Sequence, residues 1–185
     1  SQTGWSLSHM ACVYARLGDG DAALNCLELL ARSSTGENLL TYHNDWRDMG
    51  LTLSGGRQAP PFQIDANLGL PAAVLEMLVF SAPGLLKLLP ALPLRWPAGR
   101  VGAVRCRGGL TVQLDWDLPA CRLDATVTAP AGCELLCRLP AEPARLTLQP
   151  ATATAEPSDH GPGYRRLRLP AGTTTLAATL PPAGL

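Results

Sequence analysis

The sequence predicts a two-part α+β chain: helices that close a larger helical array, followed by an antiparallel β-sandwich. Two observations carry this expectation. Up to about residue 82 the apolar side chains follow helical spacing, and beyond it they alternate with period two. Gly and Pro also punctuate nearly every junction of the second half, at Arg107-Gly108-Gly109, Pro130-Ala131-Gly132, Gly161-Pro162-Gly163 and Pro170-Ala171-Gly172. At 185 residues the chain is long enough for one or two domains with a real core. We expect a helical part over 1–82 and a β part over 83–185, with an apolar, Pro-rich bridge at 83–99 that packs rigidly.

Met10, Val13, Tyr14 and Leu17 form a helical stripe that Gly18-Asp19-Gly20 ends. Asp21 is placed to N-cap a second helix through Arg32, with Leu24, Leu27, Leu30 and Ala31 on its inner face. So short a junction makes the pair an antiparallel αα-hairpin. Residues 33–67 form a long connection carrying His43, Trp46, Arg47 and Asp65. Structureless connections longer than about 12–15 residues are uncommon unless functional. Pro71 fits the first turn of a third helix reaching Phe80, with Val74, Leu75, Leu78 and Val79 apolar. Three helices cannot bury their stripes alone, so they read as the end of a larger array. The opening Ser1-Gln2-Thr3-Gly4-Trp5, already beside a helix and without an initiator Met, reads as a fragment.

In the second half, Leu110, Val112, Leu114 and Trp116 alternate with Thr111, Gln113 and Asp115. The same alternation runs through Leu123–Val127, Leu146–Leu148, Leu167–Leu169 and Leu176–Leu180. Six or seven such strands argue a sandwich with one solvated face per sheet.

Fifteen basic residues balance fifteen acidic ones, so no nucleic-acid partner is expected. No apolar run approaches the roughly 20 residues that span a membrane, and none is expected. Nothing in the chain sets the compartment. The spacing of Cys133 and Cys137, with no nearby Cys or His pair, disfavours zinc. Alternation places them on one strand face with Leu135 and Leu139, as buried free thiols. No metal or cofactor is expected.

The stretch Ala59-Pro60-Pro61-Phe62-Gln63-Ile64-Asp65-Ala66-Asn67-Leu68-Gly69 sets an acid and an amide two residues apart, in a proline-bounded loop before an apolar helix. It is a plausible home for a catalytic group.

Around it, Thr3-Gly4-Trp5-Ser6 leads into a helix ending Ala15-Arg16-Leu17-Gly18-Asp19-Gly20. Asn38-Leu39-Leu40-Thr41-Tyr42-His43-Asn44-Asp45-Trp46 and the Pro61–Gly69 stretch follow, then Glu76-Met77-Leu78 and Leu88-Leu89-Pro90-Ala91-Leu92-Pro93. In this order they resemble the C-terminal part of glycoside hydrolase family 95, the inverting α-L-fucosidases. The resemblance covers roughly residues 1–117, the remaining strands being similar by architecture alone. It implies the last helices of an (α/α)6 barrel followed by a C-terminal antiparallel β-sandwich domain. It also implies removal of terminal α-L-fucose, or the similar L-galactose, from an oligosaccharide or glycan. Family members use a glutamic acid as general acid and an asparagine-held water as nucleophile, with an aspartate supporting that asparagine. The aspartate matches Asp65. The acid and the asparagine lie upstream, in a part of the catalytic domain that this chain would need as a partner and lacks. Ala66 stands where many members have Gly, and the stretch Asp45–Gln58 is longer than in many members.

Bland readings stand beside each assignment. Asp65 is a catalytic carboxylate or a helix-start cap, the latter stabilising by about 0.5–2 kcal/mol. Asn67 is a substrate contact or a turn residue. His43 contacts sugar hydroxyls or is hydrogen-bonded structurally. Trp5 and Trp46 stack on a pyranose face or belong to the core. Glu76 reads as a solvated or helix-pairing residue rather than a general acid, and Asp115 and Asp117 are given no role. The second function class is a non-catalytic carbohydrate-binding or structural β-sandwich module.

Overall fold

The computed structural model describes residues 2–45, 47 and 61–182. The chain divides into two compact units, one of residues 1–77 with 91–94 and one of residues 78–90 with 95–185.

The first unit holds α1 (Gly4–Leu17), α2 (Gly20–Ser33) and most of α3 (Ile64–Leu78). Thr3 and Ser6 close a capping box at the start of α1, and Gly18, at φ 83°, ends it in the left-handed conformation. Asp19 rather than Asp21 caps α2, accepting from the Ala22 N–H at 2.9 Å. Asp21 instead accepts from the Leu94 N–H at 3.1 Å. The inner face of α2 is Ala23, Leu24, Cys26, Leu27 and Leu30; Ala31 is exposed.

In α1 the expected stripe is not the buried one. Leu7 and the small residues Gly4, Ser8, Ala11 and Ala15 are buried, while Val13 and Leu17 are exposed. Small residues win because α3 comes very close: a Cβ on Gly69 would lie 2.4 Å from Ser8 Oγ. Ala66, Ala73 and Met77 of α3 are fully buried, with Leu7, Leu30 and Ala66 in one apolar cluster. Arg16 and Glu76 pair across α1 and α3, as the helix-pairing reading of Glu76 anticipates.

The second unit contains ten strands in two sheets. One is fully antiparallel in the order β3 (Ala98–Arg105), β4 (Thr111–Asp117), β5 (Arg122–Ala129), β10 (Gly172–Thr179), β7 (Arg145–Gln149). The other runs β1 (Val79–Ala82), β2 (Leu85–Leu88), β6 (Cys133–Arg138), β9 (Tyr164–Leu169), β8 (Thr154–Pro157). Its β2–β6 pairing is parallel, a direction that period-two alternation cannot reveal. Each sheet buries one face: Val112, Leu114 and Trp116 with Leu123, Ala125 and Val127 in the first, Leu86, Leu88, Leu135, Cys137 and Leu167 in the second. This is the predicted α+β class, three helices followed by a sandwich of antiparallel-rich sheets.

The helix expected to reach Phe80 stops at Leu78, and residues 83–99 contain β2 and the start of β3. Pro83-Gly84 explains the change: Gly84, at φ 71°, closes a two-residue turn that pairs Ala82 with Leu85.

All six cysteines are free. Burial pushes the Cys137 thiol up to about 12, so in the folded chain at about pH 8 Cys137 should resist iodoacetamide, which attacks thiolates. Mass spectrometry should find it alkylated only after unfolding. Glu142 accepts from Arg165 and from the Gly163 N–H at 2.7 Å, which together hold its carboxyl below the usual carboxylate range. Its stabilisation is therefore full above the unfolded value, about 4.3, and is lost as pH falls through the lowered folded value. A Glu142→Gln variant should have a lower urea midpoint at neutral pH, with the gap to the parent chain closing in acid.

Candidate active site

The expected loop around Asp65 is the start of a helix. Asp65, Ala66, Asn67 and Gly69 lie in the first turns of α3, and Pro71 sits inside it. The Gln63 carbonyl accepts from the Ala66 and Asn67 N–H groups at 3.2 and 3.4 Å, which starts the helix ahead of Pro71. Pro71 removes only the bond its own N–H would make to the Asn67 carbonyl. Packing of Ala66, Ala73 and Met77 outweighs the poor propensity of Gly69 and Pro71.

Two residues not singled out from sequence hold this turn. Thr41 is 2% exposed, and its hydroxyl lies 2.6 Å from the Gln63 carbonyl and 2.8 Å from Asn67 Oδ1. Its N–H donates to the same Asn67 oxygen at 2.7 Å, and Gln63 N–H donates to the Thr41 carbonyl at 2.8 Å. Gln63, buried, accepts from the Trp5 N–H through Oε1 at 2.8 Å. That bond needs Gly4, where a Cβ would meet both Gln63 Oε1 and the Tyr42 carbonyl at 2.9 Å. The one clue in the sequence is that each is a lone uncharged polar residue beside apolar neighbours.

Asn67 completes the lattice by donating through Nδ2 to the Leu39 carbonyl at 3.0 Å. Leu39 is in the left-handed region at φ 63°, a costly conformation for a branched side chain. His43 donates its N–H to the Pro61 carbonyl at 3.0 Å, and its Nδ1 lies 2.6 Å from Asn44 Oδ1. Hydrogen bonds thus tie Trp5, His43 and Asn67 to the segment that carries Asp65. Trp46, with residues 48–60 of the long stretch, lies outside the described residues. The Arg47 guanidinium caps α2, donating to the Arg32 carbonyl at 2.6 Å.

Asp65 differs from these neighbours. It is exposed and has no hydrogen-bond or ion-pair partner among the described residues. Around it the surface is apolar: Ile64 is 57% exposed, Leu68 66% and Phe62 49%. Trp5 is 47% exposed on α1. Among the described residues no cluster of His, Cys, Asp or Glu is arranged to hold a metal ion.

Comparison with known proteins identifies the family. The profile of the glycosyl hydrolase family 95 catalytic domain matches residues 1–78, and that of the family's C-terminal domain matches residues 81–161. Alpha-L-fucosidase 2 of Arabidopsis thaliana is 41% identical over 114 residues, which are 61% of this chain and 13% of that protein. The probable alpha-fucosidase A of Aspergillus niger is 32% identical over 139 residues, 67% of this chain and 16% of that protein. That of Aspergillus oryzae is 33% identical over 129 residues, 63% and 16%. The chain thus spans only 13–16% of the length of these curated relatives. With both profiles matched in order, the chain belongs to glycoside hydrolase family 95.

Proposed function

We propose that the chain is part of an enzyme that removes terminal α-L-fucose, or the similar L-galactose, from oligosaccharides with inversion, and that Asp65 is its catalytic contribution. The observation that carries this reading is the state of Asp65: a carboxylate without a partner among the described residues, on a hydrogen-bonded helix turn, within the stretch that matches a catalytic domain. A capping carboxylate would spend its lone pairs on the N–H groups of its own helix. A carboxylate kept free can accept from a neighbouring amide.

Inverting hydrolysis needs an acid at the leaving oxygen and a base-held water on the opposite face, about 6.5–9.5 Å apart. An amide is a poor base, so an asparagine holding that water needs an anionic neighbour to orient it and to balance developing positive charge. Asp65 is suited to that part. Trp5 offers an exposed ring to a sugar face, and His43, hydrogen-bonded to Asn44 through Nδ1, has Nε2 left for a sugar hydroxyl. Asn67 has its carbonyl oxygen committed to Thr41 and retains one Nδ2 hydrogen for a ligand. Trp46 remains a candidate stacking residue.

On this reading the division between catalytic and β domains falls near residue 82. The exposed apolar rows of α1 (Val13, Leu17) and α3 (Ile64, Leu68, Leu75) pack against preceding parts of the catalytic domain. Those parts also supply the general acid and the water-holding asparagine.

The test is incubation of the full-length protein with an α-1,2-fucosylated oligosaccharide. L-fucose should be released, and the 185-residue chain alone should release none. Release of a different sugar, or of none by the full-length protein from this substrate and from its L-galactose counterpart, overturns the reading. One feature favours a carbohydrate-binding role for the β part: a half-open pocket of about 330 Å³ lined by Asp124, Thr126, Thr147, Gln149 and Thr175 together with Ala125, Leu176 and Ala177. Saturable binding of the oligosaccharide without turnover by the full-length protein would support that role instead.

A further inference from the structure

The solvent-facing side of the sheet β1-β2-β6-β9-β8 carries a row of four register-matched residues. Phe80 on β1 faces Lys87 on β2, Lys87 faces Arg138 on β6, and Arg138 faces Tyr164 on β9. All four are half-buried. Lys87 Nζ lies 5.4 Å from the centre of the Phe80 ring, and the Arg138 guanidinium 6.0 Å from that of Tyr164. Each cation is thus held against an aromatic ring, and the two residues are register partners on adjacent strands.

Like charges directly opposite one another in a sheet are destabilising. Elsewhere on this sheet the problem is solved by acids: Glu134 takes Arg166 and Arg168, and Glu142 takes Arg165. No carboxylate among the described residues pairs with Lys87 or Arg138. Their aromatic neighbours orient them without neutralising them.

We propose that this row binds a carboxylate-bearing sugar unit of a glycan, with Lys87 and Arg138 sharing the carboxylate while Phe80 and Tyr164 hold the two cations in place. A guanidinium fork and an ammonium are suited to one carboxylate taken jointly. Two uncompensated cations in an otherwise balanced sheet are too few for nucleic acid, whose binding uses many phosphate contacts. They suit a single acidic group on a mainly neutral chain, and membership of a glycoside hydrolase family makes that chain a polysaccharide. The row belongs to the second unit and Asp65 to the first, and the readout for the row is binding rather than turnover.

The full chain is titrated calorimetrically with tetragalacturonate, with its methyl ester and with tetraglutamate. The free acid should bind roughly tenfold or more tightly than either other probe, and more weakly as salt rises. Lys87→Gln with Arg138→Gln should remove that preference, and the charge-keeping pair Lys87→Arg with Arg138→Lys should retain most of it. Circular dichroism should show both double variants folded like the parent chain. No binding of tetragalacturonate by the parent chain, equal binding of the methyl ester, equal binding of tetraglutamate, or unchanged binding by the double Gln variant would each overturn the proposal.

Discussion

Asp65→Asn in the full-length protein should lower kcat on an α-1,2-fucosylated oligosaccharide by about 10²–10⁴-fold, with KM and melting temperature close to the parent's. The substitution keeps the shape of the side chain and removes only its charge. Asp65 is exposed and has no partner among the described residues, so the folded state loses no contact there. Exposed substitutions of this kind stay within about ±0.5 kcal/mol. The charge matters only when a neighbouring amide must hold a water through the transition state. Near-normal turnover would remove Asp65 from the chemistry. A large fall in melting temperature would restore the capping role.

The second large effect is on stability. Asn67→Ala should destabilise the chain by roughly 1–3 kcal/mol, read from urea unfolding, because the Thr41 N–H loses its partner in a part-buried place, while the exposed Leu39 carbonyl turns to water. Asn67→Asp should cost less, since a carboxylate still accepts from Thr41 and loses only the donation to Leu39. Because this lattice fixes the turn that carries Asp65, Asn67→Asp should also lower turnover in the full-length protein. A stability loss below about 0.5 kcal/mol for Asn67→Ala would show that the lattice does not hold the turn.

What was legible in the sequence followed the size of the side chains. The alternation of Val112, Leu114 and Trp116, and that of Leu135, Cys137 and Leu139, gave the buried faces, but Cys133, expected buried with them, is only half-buried at the start of its strand. In α1 the same logic picked Met10, Val13, Tyr14 and Leu17, whereas close approach of α3 buries the small residues Gly4, Ser8, Ala11 and Ala15. Small residues carry little hydrophobic signal, and what makes them core is a neighbour 60 positions away in sequence. The start of α3 was obscured for a similar reason: Gly69 and Pro71 read as breakers, and tertiary packing overrides them. The Pro83-Gly84 turn hid two short strands. Within the candidate site, Asp65 was singled out from its motif. Thr41 and Gln63 were missed because their importance lies in partners that only the folded chain brings together.

The measurement that bears most directly on the account is NMR of the first sugar released from an α-L-fucoside by the full-length protein, compared with its Asp65→Asn variant. An inverting site containing Asp65 gives β-L-fucose before mutarotation, and the variant releases almost none in the same time. Initial release of α-L-fucose, or release of β-L-fucose at an undiminished rate by the variant, would contradict it.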